Sequence, residues 1–160
     1  MNKLGGGSIW GVGCYPISFA RLIAGSGPVD VFGWQIVQDY GVDETFAGQM
    51  IFPNDVFAQF DSGFRTPQRT HIELLGDKGN IMLEKPFTPR LNENIVLTRG
   101  DETRIITIPG KDLYLGEVEN MADAILNGAP TRMSLADSRN NVATIQALLA
   151  SAAKGQPVRL

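Results

Sequence analysis

Cysteine and histidine are almost missing from the 160-residue chain: Cys14 and His71 each occur once. A single cysteine excludes an internal disulfide, and its expected role is small apolar filler beside a helix. No second His or Cys stands at ligand spacing from His71, so a zinc-type centre has no donor set. An excess of positive charge is absent as well. Fourteen Lys and Arg against 17 Asp and Glu give a formal net charge of −3, and no basic run offers a track for nucleic-acid phosphates. No apolar run is long enough to span a bilayer, and the first residues lack the basic and apolar regions of a signal peptide. Internal repeats and low-complexity linkers are missing too. These absences predict one soluble domain, and a hydrophobic fraction of 43% is enough to give it a core; a cytoplasmic location is expected, with any export signal belonging to the part outside this chain.

Glycine, by contrast, is abundant, and it gathers in Gly5 to Gly25. Apolar residues at Ile9, Val12, Pro16, Phe19 and Ile23 recur in steps of three and four, which predicts one buried face of a helix. Ser8 is the candidate N-cap, and Gly25 with Pro28 supplies the stop. Gly11 and Tyr15, four apart, share the side away from that stripe, where chemistry is expected. Gly11, Gly13 and Pro16 all oppose helix formation, and Pro16 cannot donate to the carbonyl of Val12, so a kink is expected there. The competing reading is a loop followed by a short helix opening at Pro16. Gly5-Gly6-Gly7 and Gly11-x-Gly13 do not form a phosphate-binding fingerprint, because no strand precedes them and Pro16 stands where a third glycine is needed.

From Val29 the periodicity becomes that of strands. Val29–Gln38, Glu44–Phe52 and Val56–Phe64 form an expected antiparallel meander, joined at Tyr40-Gly41 and Pro53-Asn54-Asp55. Within its third strand Ala58, Phe60, Ser62 and Phe64 share one face, the apolar one, and Phe57, Gln59, Asp61 and Arg65 the other. Further strands are expected at Arg69–Leu75, Asn80–Glu84, Asn94–Arg99 and Thr103–Ile108, with turns at Gly76–Gly79 and Arg99-Gly100-Asp101. A helix from Asp112 to about Asn127 carries Leu115, Val118, Ala122, Ile125 and Leu126. A second, starting at Ser134 with Asp137 three residues on, carries Val142, Ile145, Leu148 and Leu149 and ends near Lys154-Gly155. Pro157–Leu160 is expected to add a short edge strand or a return segment. The expected fold is α+β: an open, mostly antiparallel sheet with helices on one face, the other face free for a subunit contact.

Several segments carry a family resemblance in order along nearly the whole chain. They are Gly-Gly-Gly-Ser-Ile-Trp-Gly-Val-Gly-Cys-Tyr-Pro-Ile-Ser from Gly5, Ala58–Arg65, Gly76–Ile81, Pro86-Phe87, Tyr114–Glu119 and Ser134–Ser138. The chain resembles the C-terminal domain of the glucose–fructose oxidoreductase / inositol dehydrogenase / MocA-type oxidoreductases. The resemblance implies an NAD(P)-dependent enzyme acting on a sugar, polyol or related hydroxy compound. Its nucleotide would sit in an N-terminal Rossmann domain that this chain lacks, so the chain alone is expected to bind no cofactor and to be inactive. A homo-oligomer through the sheet face, carrying Phe57, Gln59 and His71, is also expected.

The same resemblance assigns Tyr15 as the catalytic residue, exchanging a proton with the substrate hydroxyl during hydride transfer. A phenol, with an ordinary pKa of about 10, needs a nearby cation for this, and a lysine of the Rossmann domain would provide it. Trp10 and Gly11 are candidate substrate contacts beside it. Gly11 departs from the family, which has Asp there; a domain that keeps the fold but serves only ligand binding or assembly is therefore the alternative. Arg65 and Arg69, flanking Pro67, are candidate cations for a hydroxylated or anionic substrate, with a surface ion pair as the other reading. Glu84-Lys85-Pro86 mimics a Rossmann-domain motif, but it follows a strand and precedes Phe87, so Lys85 is read as a solvated lysine.

Overall fold

The computed structural model describes residues 6–160, so the Gly5 end of the glycine run lies outside the described residues. The chain divides into two compact units, one reaching to Pro67 and resuming from Met133 to Leu160, the other comprising Gln68–Arg132.

In the first unit a π-helical turn, Ile9–Gly13, runs directly into α1, Cys14–Ala24. Then come β1 (Asp30–Val37), β2 (Asp43–Ile51), a 3-10 turn at Pro53–Asp55 and β3 (Phe57–Gly63). The unit is completed by α3 (Leu135–Lys154) and β8 (Val158–Arg159). The strands form an antiparallel sheet in the order β3-β2-β1-β8. Its register places Val31, Gly33, Phe46, Gly48, Met50, Ala58, Phe60 and Ser62 on one face, as the two-residue alternation predicts. Ile9 and Ile17 from the first helix and Ile145 and Leu148 from α3 bury that face, joining Val31, Phe46, Met50 and Phe52 in one core. Each such side chain contributes about 1.5–3 kcal/mol by leaving water.

Close approach of α3 depends on two cross-strand partners, Gly33 and Gly48. A Cβ at Gly33 would lie 2.6 Å from Phe46 Cζ and 2.7 Å from the Leu148 carbonyl oxygen. The space is taken by the stacked rings of Phe46 and Phe60, 6.1 Å apart at 11°. Ser151, buried on α3, accepts from Gly33 N at 3.1 Å and donates to the Gln156 carbonyl at 2.7 Å, tying helix, strand and chain end together. Ser134 caps α3 by accepting from Asp137 N at 3.0 Å, as the local sequence predicts.

The opposite sheet face is open and mixed, with Trp34, Ile36 and Phe57 sharing it with Gln49, Gln59 and Asp61. Trp34 is 67% exposed, Phe57 56% and Ile36 54%, and Phe32 meets Trp34 edge-on at 5.3 Å.

The second unit holds β4 (Ile72–Gly76), β5 (Gly79–Leu83), β6 (Asn92–Arg99), β7 (Glu102–Pro109) and α2 (Leu115–Asn127). Its strands pair antiparallel in sequence order. The fold is thus α+β with antiparallel pairing throughout, the strands shared between two four-stranded sheets. His71 sits just before β4 and so does not share a sheet face with Phe57 and Gln59. On α2 the expected helix forms, but Val118, Ile125 and Leu126 of its apolar stripe are exposed, and Tyr114 rather than Asp112 occupies its N-cap. Among the described residues no helix is long and apolar enough to cross a membrane.

Candidate functional site

Among the described residues the glycine-rich segment opens with two non-helical glycines, Gly6 and Gly7, and is helical from Ile9 to Ala24. The helix therefore starts well before Pro16, and the π turn Ile9–Gly13 includes Val12, where the proline is expected to disturb the helix. Proline inside an α-helix crowds the carbonyl four residues back, here Val12, and the wider π turn relieves that clash without breaking the helix. The turn also changes which residues face inward. Ile9, Gly13, Ile17 and Arg21 are buried, whereas Val12 is 38% and Ile23 51% exposed, so the stripe expected through Val12 and Ile23 is not the core face. Gly13 fits the inner face because a Cβ there would already lie 3.1 Å from Ser62 Oγ and 3.2 Å from Ile9 Cγ1.

The helix start is held from across the sheet. Asp43, buried at the head of β2, accepts from Ser8 Oγ at 2.6 Å and from Ile9 N at 2.8 Å. Ser8 Oγ also lies 3.1 Å from Ser62 Oγ, and its side chain makes no local cap. The carboxylate therefore replaces the N-cap expected of Ser8, at the end of the helix where backbone N–H groups favour negative charge. Gly7 makes room for it: with φ +106°, any Cβ there would collide with the Asp43 carboxylate.

Further along, α1 is clamped to α3. Arg21 Nη2 donates to Asp137 Oδ1 at 2.7 Å, Arg21 Nη1 to Asn141 Oδ1 at 3.4 Å, and Asn141 Nδ2 to the Cys14 carbonyl at 3.4 Å. The peptide unit beside Tyr15 is thus tied to the first turns of α3. Burial pushes the Cys14 thiol above its ordinary range, against the opposing effect of neighbouring backbone N–H groups.

On this frame Tyr15 is 51% exposed. Gly11, one turn earlier, is also exposed, and a Cβ on it would lie 3.1 Å from Phe64 Cζ. Phe64 is 47% exposed, and its backbone N donates to the Glu44 carbonyl at 3.1 Å. Trp10 is partly buried against the core instead of open to solvent. Arg65 Nε lies 3.5 Å from Glu44 Oε2, with the arginine side chain 62% exposed, so the ion-pair reading applies. Tyr40 joins this pair: partial withdrawal from water, a hydrogen bond to Glu44 and the Glu44 charge raise its hydroxyl, while Arg65 opposes the rise. Arg69 belongs to the second unit and is exposed. There Lys85 is exposed too, lining a cavity of about 220 Å³ with Glu84, Arg90 and Asn92. Among the described residues no group of three or more His, Cys, Asp or Glu is placed to hold a metal ion.

Sequence reasoning missed Asp43, Arg21 and Phe64. Asp43 and Arg21 act on partners 35 and 116 positions away, which no local pattern signals. Phe64 was assigned to the inner strand face, but β3 ends at Gly63 and the ring turns to the helix start.

A helix with a half-exposed tyrosine, packed on one face of an antiparallel sheet whose other face is open, makes the first unit an α+β domain. Residues 1–82 match the GFO/IDH/MocA C-terminal domain, and the chain belongs to that family. It is 31% identical over 98% of its length to "D-xylose 1-dehydrogenase (NADP(+)) 2" of Haloferax volcanii, covering 49% of that protein. It is 24% identical over 91% of its length to a dTDP-3,4-didehydro-2,6-dideoxy-alpha-D-glucose 3-reductase of Actinomadura kijaniata, covering 45% of it. An aldose-aldose oxidoreductase from Caulobacter crescentus, solved with glycerol, superposes on 97% of the chain with a TM-score of 0.85 at 22% identity, over 48% of that structure. The chain spans about half the length of the relatives it matches.

Proposed function

We propose that this chain is the substrate-binding half of an NADP-dependent oxidoreductase acting on a sugar or related hydroxy compound, with Tyr15 as the group that exchanges a proton with the reacting hydroxyl. The observation that carries the reading is Tyr15 itself. In a chain of this family it stands half-exposed on a helix whose start is fixed by Asp43 and whose body is fixed by Arg21. A phenol serves in proton transfer only when it is accessible and held in place. Relatives whose names specify NADP(+) and sugar substrates support the substrate and cofactor class.

The residues described here offer NADP no glycine-rich strand–turn–helix of their own. The nucleotide is therefore assigned to a Rossmann domain outside this chain; it would supply the hydride acceptor or donor, while the chain presents the hydroxyl to it. Gly11 contributes no carboxylate, so substrate orientation falls to Tyr15, Trp10 and their neighbours, with Arg65, exposed beside Glu44, as a candidate cation for a polar substituent. The open face with Trp34, Ile36 and Phe57 is proposed as a contact between two copies, since two such faces would bury each other's apolar surface.

The test is a fusion of this chain behind the nucleotide-binding half of the Haloferax volcanii enzyme, assayed for NADP-dependent aldose oxidation. NADPH binding by the fusion serves as the folding control. Activity that falls about 10²–10⁴-fold in Tyr15→Phe supports the reading. A fusion that binds NADPH and oxidises no aldose, or is indifferent to Tyr15→Phe, contradicts it.

A further inference from the structure

Phe64 is an unusual neighbour for an exposed helical glycine. β3 has ended at Gly63, yet the hydrogen bond from Phe64 N to the Glu44 carbonyl keeps the backbone pinned to β2, so the ring's position is set by the sheet and not by a free loop. Its Cζ and Cε1 lie 3.1 Å and 3.8 Å from where a Gly11 Cβ would be. A side chain at position 11 would therefore press on the ring, which would have to give by a few tenths of an ångström. Phe64 remains 47% exposed, and Tyr15, 51% exposed, follows one turn along the helix. Val12, beside Gly11, is 38% exposed, so the open helix surface at Gly11, Val12 and Tyr15 carries no charge. The adjacent charges, Arg65 and Glu44, face each other at 3.5 Å.

We propose that Phe64 is a specificity-determining substrate contact, its exposed ring surface stacking on the C–H face of a sugar ring whose hydroxyl lies at Tyr15. The proposal rests on the function assigned above and adds the substrate class. An aromatic face attracts the weakly positive C–H groups of a sugar and gives a hydroxyl no partner. The site therefore takes rings that present hydrogens, or a deoxygenated carbon, toward Phe64, and it discriminates against rings that turn an axial hydroxyl to it. Gly11 matters for the same reason: without a side chain it lets the ring lie down on the helix.

The experiment uses the chain itself, with D-xylose and 2-deoxy-D-ribose as probes and NMR of the aromatic side chains as readout. Both sugars are expected to shift the Tyr15 and Phe64 ring resonances, with saturation passing from the Phe64 ring to sugar C–H protons. Phe64→Leu keeps an apolar side chain at a half-exposed position and is expected to weaken both sugars about five- to tenfold. Gly11→Ala is expected to weaken them in the wild-type background and to have no further effect in Phe64→Leu, because the added methyl acts through the ring. Sugars that still shift Tyr15 while binding Phe64→Leu within twofold of wild type overturn this proposal and leave the assigned function standing. Sugars that shift neither ring overturn both. Thermal unfolding of each variant verifies that the change in binding is not a loss of fold.

Discussion

Arg21 and Asp137 meet at 2.7 Å with side-chain exposures of 5% and 38%, a contact that joins the helix bearing Tyr15 to the capped end of α3. The guanidinium is nearly out of water, and its Nε has no hydrogen-bond partner among the described residues, so Asp137 and Asn141 carry its stabilisation.

Removing Asp137 strands that buried cation. Asp137→Ala is expected to cost about 2–4 kcal/mol in urea unfolding, below the value for a fully buried pair because the carboxylate is partly solvated. Arg21→Met, which removes the charge and keeps much of the volume, is expected to cost less. Equal losses in the two variants would mean that packing, not the pair, holds α1 to α3.

The Asp43 cap makes a second prediction. Asp43→Ala leaves the buried Ile9 N–H without its acceptor and Ser8 Oγ with only the more distant Ser62 oxygens, for an expected loss of about 1–3 kcal/mol. Gly7→Ala is expected to be comparably damaging, since it puts a methyl into the carboxylate at a left-handed φ. Unfolding midpoints within experimental error of wild type for both would show that the helix start does not depend on this contact.

The Tyr40 hydroxyl gives a pH signature. Its folded-state pKa is raised, so the stabilisation linked to the neutral phenol is present below the unfolded pKa of about 10 and is lost as pH rises through the folded value. In the difference absorbance between wild type and Tyr40→Phe, Glu44→Gln is expected to lower the titration midpoint by removing the negative charge. Arg65→Met should raise it by removing the opposing cation. A midpoint unmoved by either change would exclude the triad as a coupled group.

The proposed pairing of sheet faces is tested with Trp34→Glu. Light scattering over a concentration series is expected to show self-association in wild type and monomers in the variant, since a buried unpaired carboxylate opposes the contact. A monomeric wild type at every concentration refutes the pairing.

What the sequence revealed follows the range of the interactions involved. Ser134 and Asp137 were legible as a cap because three residues separate them, and the two-residue alternation of Ala58, Phe60 and Ser62 identified the buried face of β3. The inner face of the first helix was not, because the count of 3.6 residues per turn fails across a π turn, and a buried arginine breaks the apolar pattern. Seven expected strands formed within a few residues of their predicted limits. Their division between two sheets was hidden, since strand pairing is decided by contacts distant in sequence. Tyr15 could be singled out through its family context, while Phe64, its aromatic neighbour in the candidate site, emerged only when Gly11 was seen beneath its ring.

The most direct test of the half-site account is one chemical-shift map of the isotope-labelled chain, first with D-xylose and then with NADPH added. The account predicts sugar-induced changes concentrated from Gly11 to Phe19 and at Phe64 and Arg65, and no further change with NADPH. Tight NADPH binding by the chain alone, or sugar-induced changes that bypass Tyr15, would contradict it.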